Sequence, residues 1–418
     1  MRDLEPEEFS DIAYVHDNFI ETARIFNFKI MEPSTLELLS TLEAKGGATI
    51  ANEIYAFTDK GDREVSLRFD LTIGLTRYVA LRRDLKMPAK LATFGGVWRY
   101  DEPQAGRYRY FHQWDVEIYG PFSLESDAEV IEFVASFFKR LGLKVAIEVN
   151  DRGIVEQYIR QKLGISNEST ILELFRAIDK VPKKGAQAVL QEYRDKLEPA
   201  KLQSLIDLSK IRGTVDHVSR TADMKDIAGW QRLVGLMDTL GARKVQDVQI
   251  NLGIVRGLDY YSGVVFEAFD KMADSGALVG GGRYDRLTEA FGRKDIGATG
   301  VAGGVERIVT VLRKYNIVKG SPRSLVYVAY ATEDEKARAI ELATALRGAG
   351  TMTDYDLLGR ALRRQLEDAS NKGAILTVIV TKDDMEAGKV IVRQMNDGTE
   401  NKYRISTLPV EIAKVLRA

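Results

Sequence analysis

The sequence predicts an α+β fold built from three differently textured regions. Strand-like and helix-like runs share residues 1–163 and 231–318, strand runs disappear between about 164 and 230, and after 323 short apolar runs alternate with helical patterns. At 418 residues the chain is long enough for two or three domains. The expected organisation is one core over 1–163 and 231–318, a helical insertion at 164–230, and a separate mixed α/β domain at 323–418.

Phe9, Ile12, Tyr14, Val15, Phe19 and Ala23 are spaced as an apolar stripe, so 7–28 reads as an amphipathic helix. A short strand follows over 29–33 and stops at Pro33. Residues 64–70 alternate as a strand, 71–85 and 127–141 read as helices, and 145–149 as a buried strand. In the insertion, 171–178 and 186–197 are helical, with Thr170 and Glu173 spaced as a capping box. Strands return at 248–251, 263–269 and 277–282, and a glycine-rich helix start is expected over 297–312. Lys319-Gly320-Ser321-Pro322 reads as a linker. Beyond it come strands at 325–330, 352–355 and 375–380 with helices at 333–347 and 358–370, then strands near 390–395 and 403–405 and a last helix.

Composition excludes several function classes. The net charge of −1 gives no global field for nucleic acid, so an RNA partner would be held by local patches. With no cysteine there are no disulfides or thiolate zinc sites, and His16, His112 and His217 are too few and scattered for a histidine metal centre. The start, MRDLEPEEFSD, lacks the apolar core of a signal peptide, and no run approaches the ~20 apolar residues of a membrane span, so a cytoplasmic protein is expected. The stretch from Arg160 to Lys225, which spans most of the insertion, carries 13 Lys+Arg against 9 Asp+Glu, an excess small enough to leave both RNA contact and a purely structural role open.

The richest stretch is FGGVWRYDEPQAGRYRYFHQWDVEIYG at 94–120. Arg99, Arg107 and Arg109 surround a Pro103–Gly106 turn. Beyond it Arg109, Phe111, Gln113, Asp115 and Glu117 fall on one strand face, and Tyr108, Tyr110, His112, Trp114 and Val116 on the other. Arginines at one end and carboxylates at the other suit a polyanion beside a small polar ligand, so this face reads as a cleft floor. No G-x-x-x-x-G-K-[ST] or strand-to-helix G-x-G-x-x-G loop is present. The Gly280-Gly281-Gly282 triplet instead suits close backbone approach to a ligand.

Together these segments resemble a class II aminoacyl-tRNA synthetase, and specifically the histidyl-tRNA synthetases, over essentially the whole chain. Pro33 in IMEPSTLE is similar to the motif 1 proline, 98–117 to motif 2, and GVAGGVER at 300–307 to motif 3; RGLDYYSGVVFE at 256–267 and GGGRYD at 280–285 single out histidine. The resemblance implies an antiparallel sheet of six or seven strands flanked by helices, a C-terminal anticodon-binding domain and a homodimer. It implies a reaction in which L-histidine and ATP, with Mg²⁺, give histidyl-adenylate, and the histidyl group passes to the 3′ end of tRNA(His). Arg99 and Arg256 would be catalytic at the α-phosphate. ATP would be held by Arg99, Asp101, Arg107 and Arg307. Histidine would be held by Asp70, Thr72, Gln113, Glu117, Arg256, Tyr260, Tyr261 and Tyr284, with no protein metal site. The alternative is a paralogous regulatory subunit of ATP phosphoribosyltransferase. A full unit over 323–418 and the presence of all four arginines speak against it.

Overall fold

The structure, a computed structural model, describes residues 3–46, 53–100, 108–194, 198–222, 224, 227–256, 260–272, 276–318 and 325–416. Two compact units divide the chain, Met1–Gly320 and Ser321–Ala418. The expected linker at 319–322 lies outside the described residues, as do Asp101, Arg107 and the 103–106 turn.

The first unit is organised on a nine-stranded sheet. In chain order its strands are β1 (Lys29–Ile30), β2 (Ala89–Trp98), β3 (Tyr110–Gly120), β4 (Val145–Asp151), β5 (Arg212–Gly213), β6 (Val248–Asn251), β7 (Val264–Asp270), β8 (Ala277–Arg283) and β9 (Gly297–Gly304). Their spatial order is β1-β2-β3-β9-β8-β7-β4-β6-β5. The six strands from β2 to β4 are antiparallel throughout. The count exceeds six or seven because short strands extend both margins: β1 pairs parallel with β2, β6 parallel with β4, and β5 antiparallel with β6.

One face of the sheet is covered by α1 (Pro6–Ile25) and by the helix Leu124–Arg140. Phe19 of α1 meets Trp114 of β3 at 5.4 Å between ring centroids, and Phe133 and Phe137 at 6.0 and 5.9 Å. All four are fully buried. Each such side chain contributes about 1.5–3 kcal/mol through the area it removes from water. With Trp114 and Val116 committed to this core, strand alternation turns Gln113, Asp115 and Glu117 to the opposite face.

Three local expectations are corrected. The run over 297–312 is not a helix start: 297–304 is strand β9 and the helix is Val305–Lys314. The N-cap of the helix Glu168–Lys184 is Asn167, whose side chain accepts from Thr170 N at 3.0 Å, so the Thr170–Glu173 capping box does not form. The insertion is not strand-free, since β5 lies within it. Its helices also share one continuous core with the sheet, through Phe175, Leu205 and Trp230 among others.

The second unit is a five-stranded sheet ordered Thr353–Tyr355, Val326–Tyr330, Leu376–Val380, Lys389–Gln394 and Glu400–Arg404. The first three strands are parallel and the last two pairings antiparallel. Among the described residues no helix is long and apolar enough to cross a membrane.

Candidate active site

The opposite face of the large sheet, part of which packs against the helices Thr72–Leu81 and Asp285–Ala290, forms the floor of a cleft of about 1350 Å³. It gathers Asp70, Thr72, Arg99, Gln113, Glu117, Arg256, Tyr260, Tyr261, Tyr284 and Arg307 around one space. These are all of the sequence-predicted site residues except Asp101 and Arg107, which lie outside the described residues.

One end of the cleft is a carboxylate and phenol pocket. Glu117 is buried, and the Tyr284 hydroxyl donates to its Oε2. Burial, reinforced by the Glu117 charge, pushes the Tyr284 phenol well above its ordinary range. Room for this carboxylate comes from β9. Gly300 is the register partner of Glu117, and a Cβ at Gly300 would lie 1.4 Å from Glu117 Oε2. Tyr260 packs against Tyr261 at 4.6 Å with the rings tilted by 32°, and meets Tyr284 edge-on at 6.0 Å, closing the aromatic side.

Beside this pocket lies the start of the helix Thr72–Leu81. Asp70 Oδ1 accepts from Ile73 N at 3.1 Å, so this carboxylate caps the helix while lining the cleft. Thr72 Oγ1 donates to Asp115 Oδ2 at 3.0 Å, and Gln113 Nε2 donates to Asp115 Oδ1 at 2.9 Å. The approach to this helix is set by Arg68, which is buried and donates to Gly96 O at 2.8 Å, Pro33 O at 2.6 Å and Glu32 Oε1 at 2.7 Å.

The arginines occupy the rest of the floor. Arg99 donates to Phe69 O at 3.1 Å and lies 5.1 Å from the Phe111 ring centroid. Arg307 donates to Ala277 O at 2.6 Å. Arg256 lines the same floor, bonded to Glu267 Oε1 at 2.5 Å and 5.7 Å from the Tyr261 ring centroid. Burial opposes its charge, but the Tyr261 phenol, the Glu267 carboxylate and Tyr260 outweigh it and hold the guanidinium more firmly protonated than usual. Its backbone sits at φ +53°, a left-handed conformation that a non-glycine residue keeps only where its surroundings enforce it. Gly280 leaves room for its guanidinium, since a Cβ there would lie 2.2 Å from Arg256 Nη1. The triplet therefore seats an arginine on the strand. Arg283 and Asp285 of the same segment serve the scaffold, because Arg283 bonds Asp127, Asp285 and Ser126 and Asp285 accepts from Ala298 N at 2.8 Å.

Sequence reasoning missed Glu267, Gly300, Arg68 and the bonding role of Asp115. Only Asp115 carried a local signal, its place on the polar face of β3. The insertion also reaches the cleft, lining it with Ile178, Asp179, Pro182, Lys210 and Arg212.

A hairpin, a strand-to-helix turn and a glycine-relieved pocket on one face of an antiparallel sheet make up the arrangement of a class II aminoacyl-tRNA synthetase. The chain belongs to the histidyl-tRNA synthetase family: the model "Histidyl-tRNA synthetase" matches residues 1–308 and "Anticodon binding domain" matches 325–415. It is 35% identical to a histidine–tRNA ligase of Pyrococcus furiosus, over 99% of this chain and 97% of the relative. It is similar to the crystal structure of histidyl-tRNA synthetase from Nostoc sp. PCC 7120, with TM-score 0.84 and 26% identity over 99% of this chain and 97% of that one. A structure titled as an ATP phosphoribosyltransferase regulatory subunit/histidyl-tRNA synthetase from Bacillus halodurans C has the same fold, with TM-score 0.74 at 23% identity over 91% of this chain and 96% of that one.

Proposed function

We propose that this chain is a histidine–tRNA ligase that joins L-histidine to ATP as histidyl-adenylate and then transfers the histidyl group to the 3′ end of tRNA(His). The observation that carries the reading is the seat of Arg256, held against Glu267 and the Tyr261 ring on the cleft floor that also carries Glu117, Tyr260, Tyr284, Arg99 and Arg307.

In this reading Glu117 and Tyr261 bracket the imidazole, with Tyr284 and Tyr260 closing the pocket. A neutral imidazole donates from one nitrogen and accepts at the other, which a carboxylate and a phenol can match. Asp70, Thr72 and Gln113 receive the α-amino group. The histidine carboxylate oxygen attacks the α-phosphorus, a new P–O bond forms, and the bond to the β-phosphate oxygen breaks to release pyrophosphate. Arg99 and Arg256 hold the α-phosphate, where a fixed cation stabilises the extra charge of the transition state without rearrangement. Arg307, with Arg107 and Asp101, completes the nucleotide grip. The terminal ribose hydroxyl of the tRNA then attacks the carbonyl and AMP leaves. Mg²⁺ would enter with ATP, held by phosphate oxygens, and would offset their negative charge.

The 325–415 unit reads the anticodon in this proposal. From Arg323 to Ala418 the sequence carries 15 Lys+Arg against 14 Asp+Glu, so stacked and hydrogen-bonded bases would supply the selectivity rather than phosphate attraction. We place the enzyme in the cytoplasm as a two-fold dimer. The experiment is pyrophosphate exchange into ATP across the twenty amino acids without tRNA, with exchange expected for histidine alone. No exchange with any amino acid, together with tight binding to a phosphoribosyltransferase, would transfer the case to the regulatory reading.

A further inference from the structure

We infer that Asp115 is a positioning residue that makes the amino-acid end of the cleft selective for an ammonium group, by turning two ambivalent side chains into acceptors. The inference rests on the proposed assignment of Thr72 and Gln113 to the α-amino group and adds the reason those two residues can serve it.

A hydroxyl can donate or accept, and a carboxamide presents a donor end and an acceptor end. Neither type by itself distinguishes an ammonium from a carbonyl or a carboxylate. Asp115 removes the ambiguity. An ionised carboxylate accepts only, so whatever meets it must donate. Its Oδ2 takes the Thr72 hydroxyl proton at 3.0 Å, leaving that oxygen its lone pairs. Its Oδ1 takes the Gln113 amide N–H at 2.9 Å, leaving Gln113 Oε1 as the amide atom available to the cleft. Thr72 and Gln113 line the cleft, and Asp115 lies beneath them with no exposed surface. An –NH₃⁺ carries three donors and no acceptor, and Thr72, Gln113 and Asp70 then offer it oxygen atoms only.

The backbone holds Asp115 for this task. It sits mid-strand in β3, paired with Thr93 of β2 on one side and Ala302 of β9 on the other. Its neighbours Trp114 and Val116 are locked into the opposite core, so its carboxylate cannot turn away.

The test is Asp115→Asn, which keeps size and shape. The asparagine satisfies one neighbour as an acceptor but presents N–H donors to the other, so Thr72 or Gln113 must reverse and aim a donor at the ammonium. Dissociation constants are measured for histidine and for 3-(imidazol-4-yl)propionate, which lacks only the amino group, with wild type and variant. Wild type is expected to prefer histidine, and the substitution to reduce that preference about 10- to 100-fold, the effect of one mispaired buried polar group. The ATP KM and the thermal midpoint should stay near wild type. A ratio taken within one preparation is insensitive to a partly unfolded fraction. Retention of the full preference by the variant overturns the inference and leaves the site assignment standing. A wild type that binds both ligands equally overturns the assignment of this end to the amino group, and the inference with it.

Discussion

Two arginines, 27 positions apart in segments that look equally functional, have opposite surroundings. Arg283 is buried and saturated: it bonds Asp127 and Asp285, the hydroxyl of Ser126 and the carbonyls of Pro121 and Ser123. Arg256 is seated by Glu267 and the tyrosines at the cleft, and its buried Nε has no hydrogen-bond partner among the described residues. Saturation suits an arginine that holds the fold, whereas Arg256, lining the cleft with an unpartnered buried donor, suits the ligand-binding role proposed for it.

The sharpest way to break this comparison is Arg283→Met. It leaves Asp127 as a buried carboxylate without its cation, a defect of about 3–5 kcal/mol in unfolding free energy, read by chemical denaturation. A loss confined to activity would place Arg283 with the ligand-binding residues instead. Arg256→Ala should do the reverse, lowering the adenylation rate about 10²–10³-fold while shifting the denaturation midpoint far less than Arg283→Met. Normal turnover with only a raised ATP KM would remove Arg256 from the transition state.

The smallest effect concerns the partner of Arg283. Burial raises the Asp127 carboxyl from 3.8 to about 6, with Arg283 opposing the shift. Because the folded state holds this proton more tightly than the unfolded chain, the stability Asp127 contributes is greatest below 3.8 and declines as pH rises to about 6. Asp127→Asn has no such titration. The stability of wild type relative to the variant should therefore fall across that window and level off above it. A difference independent of pH would show that the folded-state carboxyl is not raised above its unfolded value.

The polar and apolar faces of β3 were legible because alternation is local, and Gln113 and Glu117 lie where it puts them. Gly300 was not legible, and the run around it suggested a helix start. Its glycine answers Glu117 across the sheet, as Gly303 answers Trp114, where a Cβ would lie 2.7 Å from the indole. That reason lies about 190 residues away in sequence, beyond any local pattern. Asn167 outcompeted Thr170 as a cap because its side chain reaches Thr170 N from the helix's own first flanking position. Resemblance supplied Arg256 and Tyr284, but nothing local to the GGGRYD segment showed that Arg283 would be saturated by Asp127, Asp285, Ser126, Pro121 and Ser123, most of them about 160 residues away.

The two-residue strand Arg212–Gly213 has a consequence for solubility. It pairs with Asn251 and Ile250, and Leu252 N donates to Ile211 O at 3.0 Å, so the insertion lies along the outer margin of Val248–Asn251. A chain spliced across the insertion would bare that margin. The freed amide and carbonyl groups would then be a template for strands of other molecules, the usual beginning of sheet-to-sheet aggregation.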